Sequence, residues 1–294
     1  MMKIGFIGTG VMGNSMAGHL KTAGHELYIY NRTESKTKEL VKKGAEVCAT
    51  VKEVAEKSAV IFSIVGYPQD VSEIYFGENG IFEADIKGKI LIDQTTSEPE
   101  LAIEIYKKAE EKGAKAIDAP VSGGDLGAKN ASLTIMVGGD LSTYKEILGL
   151  LEKMGKTVQY QGPAGSGQHT KMANQIAIAG GMTAMVELLA YAEAAHLNVE
   201  KVLETVSAGS ASSWSLLNYA PRILAEDYSP GFFVKHFIKD LGIALSEAEK
   251  MNLKLPATQQ AKKLYDLLAE KGFENDGTQA LMKLYWPEGK KPSR

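Results

Sequence analysis

Short apolar runs alternate with amphipathic stretches through the first half of the chain. Runs rich in Val, Ile and aromatic residues predict strands at 3–7, 26–30, 59–65, 89–93, 115–118, 133–137 and 157–160. Between them, apolar positions recur at helical spacing, as with Met12, Met16 and Leu20. Strands that alternate with helices predict a parallel sheet with right-handed crossovers, so this half is expected to be α/β.

The pattern changes after Pro163, where helical periodicity continues without a convincing strand. A long helix is predicted from 165 to about 195, followed by helices at 199–206, 214–224, 234–251 and 256–271. We therefore predict two domains, residues 1–163 with the sheet and residues 164–294 all-α, with the long helix joining them.

Composition and charge narrow the class of protein. The 36 acidic and 33 basic residues give a net charge of −3, and no half is strongly basic, which disfavours nucleic-acid binding. The single cysteine, Cys48, fits a reducing compartment, so we expect a cytoplasmic protein. The most apolar stretch, 172–195, contains Asn174, Gln175 and two glutamates, which favours a buried helix over a membrane span. No cluster has metal-ligand spacing, so no metal is expected.

The strongest motif is the sequence Gly8-Thr9-Gly10-Val11-Met12-Gly13, which follows the first strand and opens a helix. In that context Gly8 permits a tight turn, Gly10 lets the backbone approach a pyrophosphate, and Gly13 lets the helix pack closely on the strand. The free N–H groups of the helix N-terminus then bind phosphate. The motif predicts a Rossmann-type dinucleotide site, the alternative being a glycine-rich turn without a ligand.

The end of the second strand indicates which dinucleotide binds. An NAD site usually has Asp or Glu there, whereas this chain has Asn31 and Arg32, followed by Thr33 and Lys36. A guanidinium suits the 2′-phosphate of NADP, so we expect NADP, with NAD as the weaker alternative. The other interpretation is that Arg32 is a solvated residue at a helix start.

Three further segments carry polar groups that suit a substrate site. Ser122, Gly123 and Gly124 follow a strand, where a carboxylate cradle and a plain turn are equally consistent with the sequence. Lys171 and Asn174 share one helix face, and a partly buried lysine can act as a general acid or base, although most lysines are solvated surface groups. Lys239 and Asp240 are adjacent, a pair that on a helix is usually a solvated face.

Together these motifs resemble the β-hydroxyacid dehydrogenase family, which includes 3-hydroxyisobutyrate dehydrogenase, tartronate semialdehyde reductase and glyoxylate/succinic semialdehyde reductases. The resemblance covers almost the whole chain and rests on GFIGTGVMG, DAPVSGG, GQHTKMANQ and GFFVKHFIKDL, in that order. It implies a Rossmann domain, a long interdomain helix, an all-helical C-terminal domain and an active site in the cleft between the domains.

The resemblance also implies roles for individual residues. Lys171 would be the catalytic acid/base, and Asn174 would orient the substrate. The substrate carboxylate would be held by Ser122, Gly123 and Gly124, with Phe232 walling the cleft. The cofactor would contact the residues Gly8, Thr9, Gly10, Val11, Met12, Gly13, Asn31, Arg32, Thr33, Lys36, Ile64, Val65, Thr96, Lys239 and Asp240.

The implied reaction interconverts a short hydroxy acid and its aldehyde or keto acid, with NADP. Two segments depart from familiar members: the loop at 66–68, which lies over the cofactor in the family, and the pocket segment 209–217. The second departure leaves the substrate open among small carboxylates. The alternatives are oxidative decarboxylation like that of 6-phosphogluconate dehydrogenase and a non-catalytic NADP-binding reader module. The former has a His before the helix Asn, where this chain has Ala173. Apolar helices in the second half, and the family, predict a homodimer or homotetramer.

Overall fold

The computed structural model describes residues 1–291. The chain forms two compact units, which comprise residues 1–171 and the residues from Met172 onward. The sequence pattern places the division near Pro163, whereas this division falls inside the long helix. The reason is that the first turn of that helix binds to the sheet of the first unit, as described below.

The first unit contains one mixed sheet. Its strands within the described residues are β1 (Lys3–Ile7), β2 (Glu26–Tyr30), β3 (Glu46–Val47), β4 (Val60–Ser63), β5 (Ile90–Asp93), β6 (Lys115–Asp118), β7 (Val121–Ser122), β8 (Leu133–Gly139) and β9 (Gly155–Gly162). The order is β3-β2-β1-β4-β5-β6-β8-β7, with β9 paired to β8. Six strands are mutually parallel, and β8 runs antiparallel to β6 and β7. The parallel sheet predicted from the sequence is therefore correct for β1 to β6 and wrong for the pairing of β6 with β8.

The helices of this unit cover both faces of the sheet. They are α1 (Val11–Thr22), α2 (Lys38–Lys42), α3 (Val51–Lys57), α4 (Pro68–Phe76), α5 (Pro99–Glu111), α6 (Gly124–Lys129) and α7 (Leu141–Leu151). One face packs against residues such as Met16 and Leu20 of α1, and the other against residues such as Val54 and Ile105. Burial on both faces explains why the central strands are apolar throughout.

The second unit is helical. The helix α8 (Ser166–Ala194) begins in the first unit and continues into this one, where it is followed by α9 (Val199–Ser207), α10 (Trp214–Asn218), α11 (Ala220–Leu224), α12 (Val234–Lys250) and α13 (Pro256–Glu270). The single helix predicted at 214–224 is in fact two, because Pro221 is tolerated only in the first turn of a helix. These helices share one apolar core that includes Met182, Phe237 and Tyr265.

Helix α8 is long and apolar enough, by length and composition, to cross a membrane. Its 29 residues include an 18-residue window of mean hydropathy 1.3, of which 39% is buried. The buried positions form one stripe, with Met182, Val186 and Leu189 in the core of the second unit. The opposite side is exposed and bears small residues, among them Ala173 and Ala177. The sequence had predicted a buried helix, and α8 is in fact buried along one face only.

Candidate cofactor and substrate site

The loop between β1 and α1 has the backbone that a dinucleotide requires. Gly8 has a φ of +94°, and a Cβ atom there would collide with the carbonyl oxygen of Ile64. A Cβ on Gly13 would collide with the carbonyl oxygen of Gly8. At Gly10, by contrast, a Cβ would meet no atom within 4 Å, so this backbone faces open space. No side chain caps the start of α1, which leaves N–H groups available to a phosphate, and these residues fit the pyrophosphate of a dinucleotide.

The glycine-rich loop is fixed by the residue that follows β2. The carboxamide oxygen of Asn31 accepts a hydrogen bond from the N–H of Thr9 at 2.9 Å, and its Nδ2 donates to the Thr33 carbonyl at 2.8 Å. The Thr9 hydroxyl is buried and donates to the Lys36 carbonyl at 3.3 Å. Of the sequence-predicted cofactor residues, Asn31 and Thr9 therefore shape the loop, while the side chains of Thr33 and Lys36 are exposed. Val11 is also exposed and Met12 packs partly against the core.

Arg32 forms an ion pair with a residue on a different element. Its Nη1 lies 3.0 Å from Oδ1 of Asp70, in the first turn of α4. The Arg32 side chain is 78% exposed, whereas that of Asp70 is 21% exposed. The sequence gives no signal for this partner, because the two residues are 38 positions apart.

A buried carboxyl group lies at the carboxyl end of β5. Asp93 accepts hydrogen bonds from the Ser63 hydroxyl at 2.9 Å and from the N–H of Thr95 at 3.2 Å. Burial raises the pKa of Asp93 to about 6, although the hydrogen bonds from Thr95 and Ser63 act in the opposite direction. The hydroxyl of Thr95 in turn accepts the N–H of Val65 at 3.0 Å. These bonds bring together the loops that follow β4 and β5.

Those two loops carry three of the sequence-predicted cofactor residues. Ile64 continues from β4 and donates its N–H to the carbonyl of Ile7 at 2.9 Å, while Val65 follows it. Thr96 is half-buried in the loop after β5. All three lie at the same edge of the sheet as the glycine-rich loop, since β1, β4 and β5 are adjacent and parallel.

The start of α8 is bound to this edge by Asp118 and Gln168. The carboxylate of Asp118, at the end of β6, accepts the N–H groups of Gly165 at 2.8 Å and Gln168 at 2.9 Å. The side chain of Gln168 accepts the N–H of Ser97 at 3.0 Å and donates to the carbonyl of Thr95 at 2.7 Å. Desolvation raises the pKa of Asp118, with the backbone hydrogen bonds lowering it. Neither role is predicted by the sequence, although Asp118 lies in the DAPVSGG motif and Gln168 in the GQHTKMANQ motif.

Lys171 follows one turn after this anchor and is 6% exposed. The four hydrogen bonds of Asp118 and Gln168 fix the turn of α8 that precedes Lys171. Because Lys171 is buried, it is not the solvated surface lysine of the alternative interpretation.

Ser122 and the two glycines after it form the turn from β7 into α6, with φ values of +130° for Gly123 and +64° for Gly124. Such a turn brings successive backbone N–H groups to the surface, where an anion can bind.

In the second unit, a buried polar network connects α8 to α12. Nδ2 of Asn174 donates to Gln175 at 2.8 Å, and Nε2 of Gln175 donates to Oδ2 of Asp240 at 2.6 Å. Nζ of Lys239 lies 2.9 Å from Oδ1 of Asp240, with side-chain exposures of only 11% and 2%. The Lys239–Asp240 pair is thus buried and does not lie on a solvated helix face, where such pairs are usually found. Gln175 belongs to this network, and its role is not indicated by the sequence.

Phe232 lies just before α12, half-buried against the core of the second unit. Its ring is 5.7 Å from that of Phe237, and its carbonyl accepts the N–H of Thr278 at 3.0 Å.

Among residues 1–291, no group of three or more His, Cys, Asp or Glu side chains could hold a metal ion.

Comparison with known proteins identifies the family. A model described as the NAD binding domain of 6-phosphogluconate dehydrogenase matches residues 3–162, and one described as the NAD-binding of NADP-dependent 3-hydroxyisobutyrate dehydrogenase matches residues 165–285. The chain belongs to the β-hydroxyacid dehydrogenase family. It is an NAD(P)-dependent oxidoreductase of the hydroxyacid type, with a Rossmann-type first unit, and the family resemblance predicted from the four motifs is confirmed.

Three similar proteins illustrate the match. A probable 3-hydroxyisobutyrate dehydrogenase-like protein of Arabidopsis thaliana is 50% identical over 95% of this chain and 84% of its own length. The 2-hydroxy-3-oxopropionate reductase of Escherichia coli is 37% identical over 92% of each protein. The solved structure of Mycobacterium tuberculosis 3-hydroxyisobutyrate dehydrogenase with L-serine has a TM-score of 0.89, at 26% identity, covering 97% of this chain and 99% of that one.

Proposed function

We propose that this chain is an NADP-dependent enzyme that interconverts a short-chain hydroxy acid and its aldehyde or keto acid, with Lys171 as the proton-transfer group. The observation that carries the proposal is the position of Lys171. It is buried and stands one turn after a helix start that Asp118 and Gln168 bind to the sheet edge. A lysine held in this way can exchange a proton with a substrate oxygen at a fixed place.

The proton transfer proposed for Lys171 works in both directions. In reduction, its ammonium donates a proton from Nζ to the substrate oxygen as negative charge develops there. In oxidation, the neutral amine accepts the proton of the substrate hydroxyl. The bound nicotinamide supplies or accepts the hydride. Asn174, three residues later on the same helix, would orient the substrate.

We propose a small carboxylate as the substrate, bound by Ser122, Gly123 and Gly124. Two consecutive residues with positive φ expose their N–H groups to an anion, and glycine accommodates this backbone without strain. Glyoxylate, succinic semialdehyde, methylmalonate semialdehyde and tartronate semialdehyde fit this description. Oxidation of NADPH should be measured against these four and against neutral aldehydes of equal length. Activity confined to the neutral aldehydes would refute the carboxylate cradle.

Arg32 supports NADP as the preferred cofactor. It is exposed after β2, where NAD enzymes usually carry a carboxylate, and its guanidinium can bind a 2′-phosphate with charged hydrogen bonds. One such bond contributes about 1.5–3 kcal/mol, or roughly a ten- to hundredfold preference. We expect Arg32→Ala to lower kcat/KM for NADPH by that factor and to change kcat/KM for NADH much less. Equal losses for both cofactors would show that Arg32 does not select NADP.

Oxidative decarboxylation is the second candidate, because the family model that matches residues 3–162 is described from 6-phosphogluconate dehydrogenase. The model that matches the second unit is described from 3-hydroxyisobutyrate dehydrogenase and favours the simple dehydrogenase. Assay of CO2 release during oxidation of candidate hydroxy acids separates the two. Release of CO2 in proportion to the NADPH formed would favour decarboxylation.

We further propose that the protein is a cytoplasmic homodimer or homotetramer. The exposed side of α8 carries Ala173, Ala177, Gly180 and Ala184 at helical spacing, ahead of Tyr191, which is 75% exposed. In the same unit Trp214 and Leu217 are 59% and 57% exposed. Small residues on a long helix allow close approach of a second helix, and exposed aromatic residues are typical of interface cores.

A further inference from the structure

The Asp70 carboxylate is held by a backbone hydrogen bond beside Arg32, which is proposed above to bind the 2′-phosphate of NADP. Its Oδ2 accepts the N–H of Tyr67 at 3.1 Å, at the start of α4. Its Oδ1 faces Nη1 of Arg32 at 3.0 Å. This backbone N–H at the helix start is a second partner, independent of Arg32, that holds one oxygen of the carboxylate.

The contact between Arg32 and Asp70 joins the two segments that flank the glycine-rich loop. Arg32 follows β2 and Asp70 follows β4, and both strands pair directly with β1. The loop that begins at Gly8 follows β1, and a Cβ on Gly8 would meet the backbone of Ile64 beyond β4. The N–H of Gly8 donates to the carbonyl of Tyr30 at the end of β2, at 2.9 Å. A nucleotide on this loop would therefore lie beside both residues of the ion pair.

We infer that Asp70 is a specificity-determining residue, which competes with the 2′-phosphate of NADP for Arg32 and so reduces the preference for NADP over NAD. The inference rests on the proposed function in so far as Arg32 is taken to bind the 2′-phosphate. A 2′-phosphate carries about −1.5 to −2 charge at pH 7 if it titrates like other phosphate monoesters. When it binds, it must share the guanidinium with a carboxylate that the N–H of Tyr67 holds nearby. NAD lacks this group and does not need the guanidinium.

The opposite role for Asp70 would be to position Arg32 for the phosphate. The exposures favour competition, since the Arg32 side chain is 78% exposed and its Nη1 lies 3.0 Å from Oδ1 of Asp70, on the side toward α4. A guanidinium turned toward one fixed anion is turned away from other positions that it can reach. The two roles predict changes of opposite sign when the charge of Asp70 is removed.

The experiment compares Asp70→Asn with the unchanged protein. Asparagine keeps an oxygen that can accept the N–H of Tyr67 and removes the negative charge. We expect adenosine 2′,5′-bisphosphate to bind roughly two- to fivefold more tightly to Asp70→Asn, as measured by calorimetry, because exposed ion pairs have energies of this order. The affinity for adenosine 5′-phosphate should not change. The difference should shrink as salt is raised from 0.05 to about 0.5 M.

Two further variants test whether the effect of Asp70→Asn on bisphosphate affinity acts through Arg32. In an Arg32→Ala background, Asp70→Asn should leave the affinity for the bisphosphate almost unchanged, because the competition acts through Arg32. Asp85→Asn removes an exposed carboxylate that precedes β5 and controls for net charge. Weaker or unchanged binding of the bisphosphate by Asp70→Asn, or an equal gain in the Arg32→Ala background, would overturn the inference.

These outcomes are distinct from failure of the proposed function. Calorimetry with the two nucleotides involves neither a hydroxy acid nor Lys171, so it reports on Asp70 even if none of the candidate substrates is converted. As a second readout, the ratio of kcat/KM for NADPH to that for NADH should rise about two- to fivefold in Asp70→Asn with whichever substrate is active. A ratio that falls would contradict competition.

Discussion

At the scale of single residues, the glycine-rich loop shows what spacing can predict. Gly8 and Gly13 have the tight turn and the close helix packing that their spacing predicts, and the backbone at Gly10 faces open space, because these features depend on the local backbone alone. The partners of Asp118, Gln168 and Asp240 could not be predicted in this way. Their hydrogen bonds join residues 47 to 73 positions apart, and no local pattern encodes such pairs.

Asp93 gives a prediction at this scale. Its pKa is about 6 in the folded protein and about 3.9 when unfolded, so between these values the folded state holds a proton that the unfolded state has released. The stabilisation from this group is therefore present below about pH 4 and lost as the pH rises through 6. We expect Asp93→Asn to raise the free energy of unfolding by about 2–3 kcal/mol at pH 7.5 and by little at pH 4.

Urea unfolding at both pH values measures this difference. Asp85→Asn, at an exposed position, is the matched control and should change the free energy of unfolding by no more than about 0.5 kcal/mol. Equal stability of Asp93→Asn and the unchanged protein at pH 7.5 would show that the hydrogen bonds from Ser63 and Thr95 outweigh the desolvation of the carboxylate.

At the scale of elements, the sequence predicted most strands and helices because their burial is periodic. The bounds of β1, β2 and β6 agree with the prediction in full. The reversed direction of β8 was missed, since alternation of apolar residues indicates a strand but not its orientation. The division of the chain inside α8 was also not predicted, because it depends on the side-chain anchor at Gln168.

That anchor gives a second prediction. Gln168→Leu keeps a buried side chain of similar size but leaves the N–H of Ser97 and the carbonyl of Thr95 without their partner. Each unsatisfied group costs about 1–3 kcal/mol, so the free energy of unfolding, measured by heat or urea, should fall by roughly 2–5 kcal/mol. Gln161→Leu, at an exposed position before α8, is the control and should be nearly neutral. A loss no greater than that of the control would mean that the anchor contributes little.

At the scale of the whole molecule, the exposed side of α8 predicts self-association. Ala177→Glu together with Ala184→Glu places two like charges on this side, and burying them against a second copy would cost several kcal/mol. Light scattering at micromolar concentration should show an oligomer for the unchanged protein and a smaller species for the double variant. Ala257→Glu, an exposed position in α13, is the control and should leave the mass unchanged. A monomeric unchanged protein would contradict the proposal.

Turnover by Lys171→Ala is the decisive measurement of whether Lys171 transfers the proton. With a semialdehyde that the unchanged protein reduces, kcat should fall by roughly two to four orders of magnitude, the usual size of general acid–base catalysis, while the Kd for NADPH stays the same. Lys153→Ala, at an exposed position after α7, should keep full activity. Near-normal kcat for Lys171→Ala, with NADPH bound as before, would show that another group transfers the proton.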